Sequence, residues 1–314
     1  MWYPPIEPYD HGVLDTGDGH CMYWETSGNP AGMPVLVVHG GPGGRSTPNS
    51  RRWFDPRPYR IIAYDQRGCG RSTPHACIAD NTTAHLLADI ETLRERLGVH
   101  RWTLLGRSWG TTLALAYAEA HPERVVRLVL CGVFTARRSE LDWLYRGAAG
   151  RRFSSAWVRF SGFLPATERS EPIAAYYRRL TCGDPDVEAA AARQWSEWEQ
   201  ALATGGDVLR DDDMTVLARA RLQTHYFVND SFLLEGQLLL NADRLRGIPG
   251  VIIQGTEDHV TPPGAAADLC LAWPDASLRL IPGAGHQSTE PEIMRALVDA
   301  FDDEAIPLTS FWGS

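Results

Sequence analysis

Four short runs, Val35-Leu36-Val37-Val38, Ile61-Ile62-Ala63-Tyr64, Thr103-Leu104-Leu105 and Val126-Arg127-Leu128-Val129-Leu130, are apolar almost throughout and rich in β-branched residues. A strand with one wet face alternates apolar and polar side chains, so runs of this kind belong to strands covered on both faces. Helical patterns lie between them, from Thr83 to Leu97 and from Thr111 to His121. Alternating β and α units with doubly covered strands predict an α/β fold, a mostly parallel sheet with helices on both faces. Ahead of this series, residues 12–38 read as strands broken by turns at Thr16-Gly17-Asp18-Gly19 and Ser27-Gly28-Asn29-Pro30.

The rhythm changes near residue 135. From there to about 235 the pattern is helical and rich in Arg and Trp, and the buried-strand pattern returns at Val251-Ile252-Ile253 and Leu278-Arg279-Leu280-Ile281. The expected organisation is a core in two pieces, residues 1–134 and 236–314, with a helical cap over residues 135–235 between them.

The third apolar run leads into Gly106-Arg107-Ser108-Trp109-Gly110, and a helix-like stretch follows. A serine at the apex of a strand–turn–helix, with glycine two residues to either side, is the pattern of a nucleophile elbow. Its turn is strained, its neighbours must be small, and its hydroxyl stands clear of the sheet edge.

Charge and composition exclude several other chemistries. The basic and acidic residues sum to 30 − 39 = −9, so nucleic acid is not an expected partner. All 30 basic residues are arginine, which excludes a Schiff-base lysine, a P-loop lysine and a Ser–Lys dyad. Cys21, Cys69, Cys77, Cys131, Cys182 and Cys270 form no C-x-x-C pair, a pattern that fits reduced thiols in the cytoplasm. Residues 1–8 lack a basic start followed by an apolar stretch, and no window holds eighteen uninterrupted apolar residues. The expectation is therefore a cytoplasmic protein without a membrane span. No H-E-x-x-H or comparable spacing occurs, and Asp211-Asp212-Asp213 reads as an exposed loop or helix start. Neither a metal nor a cofactor is expected.

Serine is a poor nucleophile at neutral pH, so Ser108 needs a base and a group that orients the base. Gly255-Thr256-Glu257-Asp258-His259 follows the strand ending at Gln254, and Pro282-Gly283-Ala284-Gly285-His286 follows the strand ending at Ile281. Both turns lie at the carboxyl edge of a parallel sheet, where open α/β sheets bind ligands. Asp258 is the expected acid, with Glu257 and His259 beside it as alternatives, and His286 is the expected base. For the oxyanion, His39-Gly40-Gly41-Pro42-Gly43-Gly44 follows a strand. Gly41 and the residue after the nucleophile, Trp109, are the expected backbone donors. A phosphate-cradling loop is excluded there, since no G-x-G-x-x-G register fits and no lysine follows.

These segments resemble one family. The His39–Gly44 loop, Asp65-Gln66-Arg67-Gly68-Cys69-Gly70-Arg71-Ser72 and Ser108-Trp109-Gly110 look like the proline iminopeptidases of the α/β-hydrolase superfamily. The match continues through Trp195-Ser196-Glu197-Trp198-Glu199, His225-Tyr226-Phe227-Val228-Asn229 and Ile248-Pro249-Gly250-Val251 to Asp258. The resemblance implies a helical cap and cofactor-free hydrolysis of the amide after an N-terminal residue. It also implies cap carboxylates that receive the free α-amino group, one of which matches Glu199. Trp195 lies four residues earlier on the same helix face and would supply an aromatic wall beside that carboxylate. A second family acid falls on Gln223, which still accepts a hydrogen bond but carries no charge. The turn at residues 255–258 also lacks the family's basic residue.

The reading is a serine hydrolase acting on a small molecule or short peptide with a free N-terminal amine. It would be a proline iminopeptidase, or a relative that strips a protecting aminoacyl group from a natural-product amine or macrolactam-type intermediate. An esterase or thioesterase using the same triad is the alternative.

Overall fold

The structure is a computed structural model that describes residues 2–204 and 212–302. The chain opens with a hairpin, β1 (Asp10–Gly17) and β2 (His20–Gly28). The strands β3 (Met33–Val38), β4 (Tyr59–Tyr64), β5 (Trp102–Arg107), β6 (Val125–Cys131), β7 (Gly250–Gly255) and β8 (Ala276–Ile281) follow. Among the described residues they form one eight-stranded sheet in the order β1-β2-β4-β3-β5-β6-β7-β8. The pairs β1–β2 and β2–β4 are antiparallel, and every later pair is parallel. Chain order reverses around β3, with β4 on one side and β5 on the other, so a ligand crevice is expected beyond their carboxyl ends.

The apolar runs have the physical cause expected of them. Leu36, Val38, Ile62, Leu104, Leu128 and Ile252 pack on one face, against helices α1 (Thr83–Arg96) and α2 (Trp109–Ala120) and the later helix α9 (Pro263–Ala272). The alternating residues Val35, Val37, Ile61, Leu105, Val129 and Ile253 pack on the other, against Trp53, Phe54 and helix α10 (Pro291–Asp302). β8 departs from this pattern. It is the last strand of the sheet and Leu280 on it is 49% exposed, so its apolar residues are not covered on both sides as those of β7 are.

β6 and β7 are parallel neighbours in the sheet, so the segment between them leaves at the carboxyl edge and returns at the amino edge. It holds α3 (Arg138–Tyr145), α4 (Ser154–Gly162), α5 (Pro172–Leu180), α6 (Pro185–Thr204), α7 (Asp213–Val228) and α8 (Gln237–Leu240). Among the described residues it contains no strand. The aromatic residues expected to be helical make its core: Phe160 stacks on Tyr176 at 4.7 Å, and Tyr145 stacks on Trp195 at 4.6 Å. Asp212 caps α7, accepting the Thr215 N–H at 2.9 Å, and Asp213 begins the helix; Asp211 lies outside the described residues. Among the described residues no group of three or more His, Cys, Asp or Glu is placed to hold a metal. No described helix is long and apolar enough to cross a membrane.

One buried acid serves neither the sheet nor the cavity described below. Glu119 on α2 touches Asn241 at 3.4 Å through Oε2, and its Oε1 has no hydrogen-bond partner among the described residues. Burial pushes its carboxyl up from the ordinary 4.5 to about 8, against the Asn241 hydrogen bond and Arg244, which pull it down. Between those two pH values the unfolded chain has released this proton and the native chain has not, so stability falls as pH rises from 4.5 to 8. Glu119→Gln is expected to flatten that decline. Melting at pH 8 should rise relative to pH 5 by about 1 kcal/mol or more, roughly 2–4 °C, in parallel thermal scans. An unchanged pH dependence would refute this assignment.

Candidate active site

Ser108 stands between β5 and α2 with φ 52° and ψ −125°, backbone angles a non-glycine residue holds only where its surroundings impose them. The flanking glycines show why the turn is built this way. A Cβ on Gly106 would lie 2.5 Å from the carbonyl of Gly110, and one on Gly110 would lie 2.1 Å from the carbonyl of Val38. The turn is held by the Ser108 N–H donating to Cys131 O at 2.9 Å and the Thr111 N–H donating to Ser108 O at 2.8 Å. Among the described residues the Ser108 hydroxyl has no protein hydrogen bond, and the residue lines a cavity of about 480 Å³.

His286 lines the same cavity. Its Nδ1 donates to Asp258 Oδ2 at 2.8 Å, which leaves Nε2 as the nitrogen free to meet the serine. Asp258 is buried and fully engaged. Oδ1 accepts the backbone N–H groups of Val260 at 3.0 Å and Thr261 at 2.8 Å, while Oδ2 also accepts Thr261 Oγ1 at 2.8 Å and Gln254 Nε2 at 3.1 Å. Burial pushes this carboxyl up, but the charge and hydrogen bond of His286 and the bonds from Thr261 outweigh it and hold the group below the usual carboxylate range. The structure thus brings Ser108, His286 and Asp258 to one rim of the sheet. Glu257 and His259 point elsewhere, Glu257 to Arg152 at 3.0 Å and His259 against Phe153 at 5.4 Å.

Gly41 lines the cavity beside Ser108. Trp109 is the first residue of α2, so its N–H is one of the unpaired donors of a helix start. A lattice behind them was not legible in the sequence. The Trp109 indole N–H donates to Gln66 Oε1 at 3.0 Å, and Gln66 Nε2 donates to His39 O at 2.9 Å. The Gln66 backbone N–H donates to His39 Nε2 at 3.0 Å, so the ring proton sits on Nδ1 and is given to Gly40 O at 2.8 Å. Burial pushes the His39 pKa down, consistent with that neutral ring. The lattice ties the loop after β3 to the elbow.

Glu199 projects from α6 onto the cavity wall and accepts from Tyr145 Oη and from Gln223 Nε2, the latter at 3.1 Å. Burial pushes its carboxyl up, against the two hydrogen bonds, which lower it.

Two sequence expectations need correction here. Trp195 does share a helix face with Glu199, yet it is fully buried and lies behind the wall; Phe134, Tyr145 and Phe227 are the aromatic residues that line the cavity among the described residues. Gln223 was expected to offer an acceptor, but the Trp195 indole N–H, which can only donate, occupies its Oε1 at 2.7 Å. The amide therefore faces Glu199 as a donor, and Trp195 acts on the cavity from behind, through that lock and through its stack on Tyr145.

The alpha/beta hydrolase fold model matches residues 33–290. A proline iminopeptidase of Xylella fastidiosa (strain Temecula1 / ATCC 700964) is 49% identical over 309 residues, covering 96% of this chain and 98% of the relative. That of Arabidopsis thaliana is 47% identical over 95% of this chain and 80% of its own. The chain belongs to the proline iminopeptidase family. This proline iminopeptidase-family member is an enzyme, a serine hydrolase of aminopeptidase type. Solved structures share its fold at low identity. The proline iminopeptidase of Mycobacterium smegmatis aligns with a TM-score of 0.57 at 20% identity, over 94% of this chain and 98% of its own. VinJ aligns with a TM-score of 0.62 at 17% identity, over 95% of this chain and 99% of its own.

Proposed function

We propose that the enzyme removes an N-terminal residue, prolyl first among candidates, from a short peptide or other small amine by cleaving its amide bond. Ser108 Oγ attacks the acyl carbon while His286 Nε2 takes its proton and Asp258 holds the ring in the required tautomer. The N–H groups of Gly41 and Trp109 receive the developing oxyanion. His286 then gives its proton to the leaving nitrogen and the C–N bond breaks; water attacks the acyl-enzyme with His286 again as base, the acyl–Oγ bond breaks, and His286 returns the proton to Ser108 Oγ. The helices of residues 135–235 act as the cap, and their Glu199 takes the substrate's free ammonium.

One observation carries the amine reading: an acidic side chain from the inserted helices shares the wall of a single cavity with Ser108 and His286. An ester hydrolase has no need of that carboxylate. Gln223 supports Glu199 by donating to it, and Arg219 lines the same cavity, so among the described lining residues Glu199 is the one carboxylate, beside a neutral donor and a guanidinium.

Paired substrates test the proposal. Prolyl and alanyl 4-nitroanilides are expected to be hydrolysed at least about 100-fold faster in kcat/KM than their N-acetylated forms, the loss of a charge-assisted contact of about 3 kcal/mol. Glu199→Gln should lose about 10–100-fold in kcat/KM on the free amines and leave 4-nitrophenyl acetate within about twofold. Equal rates on free and blocked substrates would replace this proposal with an esterase.

A further inference from the structure

The geometry points to Glu290 as the positioning residue for His286, a role that rests on the triad proposed above. Glu290 Oε2 accepts the N–H of Gly285 at 2.7 Å, and Oε1 accepts the N–H of Gln287 at 3.1 Å. Those N–H groups belong to the residues immediately before and after His286. One carboxylate therefore bridges the backbone on both sides of the proposed base, while Asp258 holds the ring from the front through Nδ1. The backbone around the imidazole is fixed at two points and its side chain at a third.

The anchor itself is firm. Glu290 directly precedes α10, its carbonyl accepts the Met294 N–H at 2.8 Å, and its own N–H donates to Gln287 O at 3.0 Å. Its side chain turns away from the helix it precedes and reaches into the loop that carries His286. α10 is seated on the sheet by Ile293, Leu297 and Phe301, all buried in the core opposite α2. The loop approaches so closely that a Cβ on Gly285 would lie 3.0 Å from Glu290 Oε1 and would press on the carboxylate. An ionised carboxylate accepting two N–H groups makes a stronger clamp than a neutral side chain could, because both bonds are charge-assisted. Glu290 does not line the cavity, so it touches neither the proposed amine site nor the reacting atoms.

Displacing a catalytic group by about 1 Å costs on the order of 10²-fold in rate, and that sets the scale of the test. In the full-length enzyme acting on prolyl 4-nitroanilide, Glu290→Gln keeps one acceptor oxygen and is expected to lower kcat about 5–10-fold. Glu290→Ala keeps none and is expected to lower it about 50–100-fold. KM should stay within about twofold in both, since substrate binding is untouched. Labelling of Ser108 by a fluorophosphonate should slow in parallel with kcat, a change that a purely structural role would not produce in folded protein. Thermal melts identify the folded variants, and if the alanine variant does not fold, the glutamine variant decides. A folded Glu290→Gln with wild-type kcat, or one in which only KM moves, overturns the assignment. Wild-type enzyme that cleaves no aminoacyl amide would instead overturn the proposed function, and the two failures are distinct.

Discussion

Ser108→Ala is expected to lower kcat on prolyl 4-nitroanilide by about 10⁴-fold or more while leaving the fold intact. The loss follows from chemistry: without Oγ there is no acyl-enzyme, and only the oxyanion donors and binding remain to favour attack by water. The intact fold follows from the contacts. The hydroxyl makes no protein hydrogen bond among the described residues, whereas the bonds that hold the turn are made by backbone groups that alanine keeps. Alanine also carries the same Cβ, so the positive φ of 52° is no harder for it to hold. Thermal melting within about 1 kcal/mol of wild type should accompany the kinetic loss. A folded variant that retains near-wild-type turnover would remove Ser108 from the mechanism, and a variant that unfolds would show that the hydroxyl has a structural partner.

The parts of this molecule that could be read in the sequence are those whose cause is local. The runs at β3, β4, β5 and β6 announce buried strands because each residue's neighbours along the chain are enough to show that both faces are dry. Ser108, Asp258 and His286 stand in turns that directly follow such strands, so the parallel sheet itself brings them to one edge. β8 reads like the others but is terminal in the sheet, and strand order is not written in any short window.

The lining of the cavity is less legible for the same reason. A four-residue spacing puts Trp195 and Glu199 on one helix face, yet it does not say which of them lies deeper. Tyr145 arrives from α3 and Gln223 from α7, and the direction of the Gln223 amide is set by an indole 28 residues away. His39 and Gln66 stand in recognisable segments, but only the cross-strand bonds between them and Trp109 give them work. Glu290 had a faint local signal, an acid four residues after the histidine at a helix start, which reads on its own as ordinary helix capping.

Asp258→Asn is expected to lower kcat by about 10⁴-fold without moving any atom far. The hydrogen bonds around the carboxylate dictate how the amide must sit. Val260 N–H and Thr261 N–H can only donate, so the asparagine oxygen has to take the Oδ1 position that they face. Turning it the other way would strand two buried backbone donors at about 1–3 kcal/mol each. The NH₂ group then falls on the side of His286, where it donates to Nδ1 and so drives the ring proton onto Nε2. That nitrogen now carries a hydrogen where it must accept one from Ser108, and the base is disabled with its geometry preserved. Gln254 Nε2 loses an acceptor as well, though it keeps Thr261 O at 2.8 Å, so a stability loss of only about 1 kcal/mol is expected. Turnover and thermal melts on the same preparation check both halves. A kcat within about tenfold of wild type would mean that another group fixes the tautomer, and the neighbouring Glu257 and His259, turned toward Arg152 and Phe153, are poorly placed to do so.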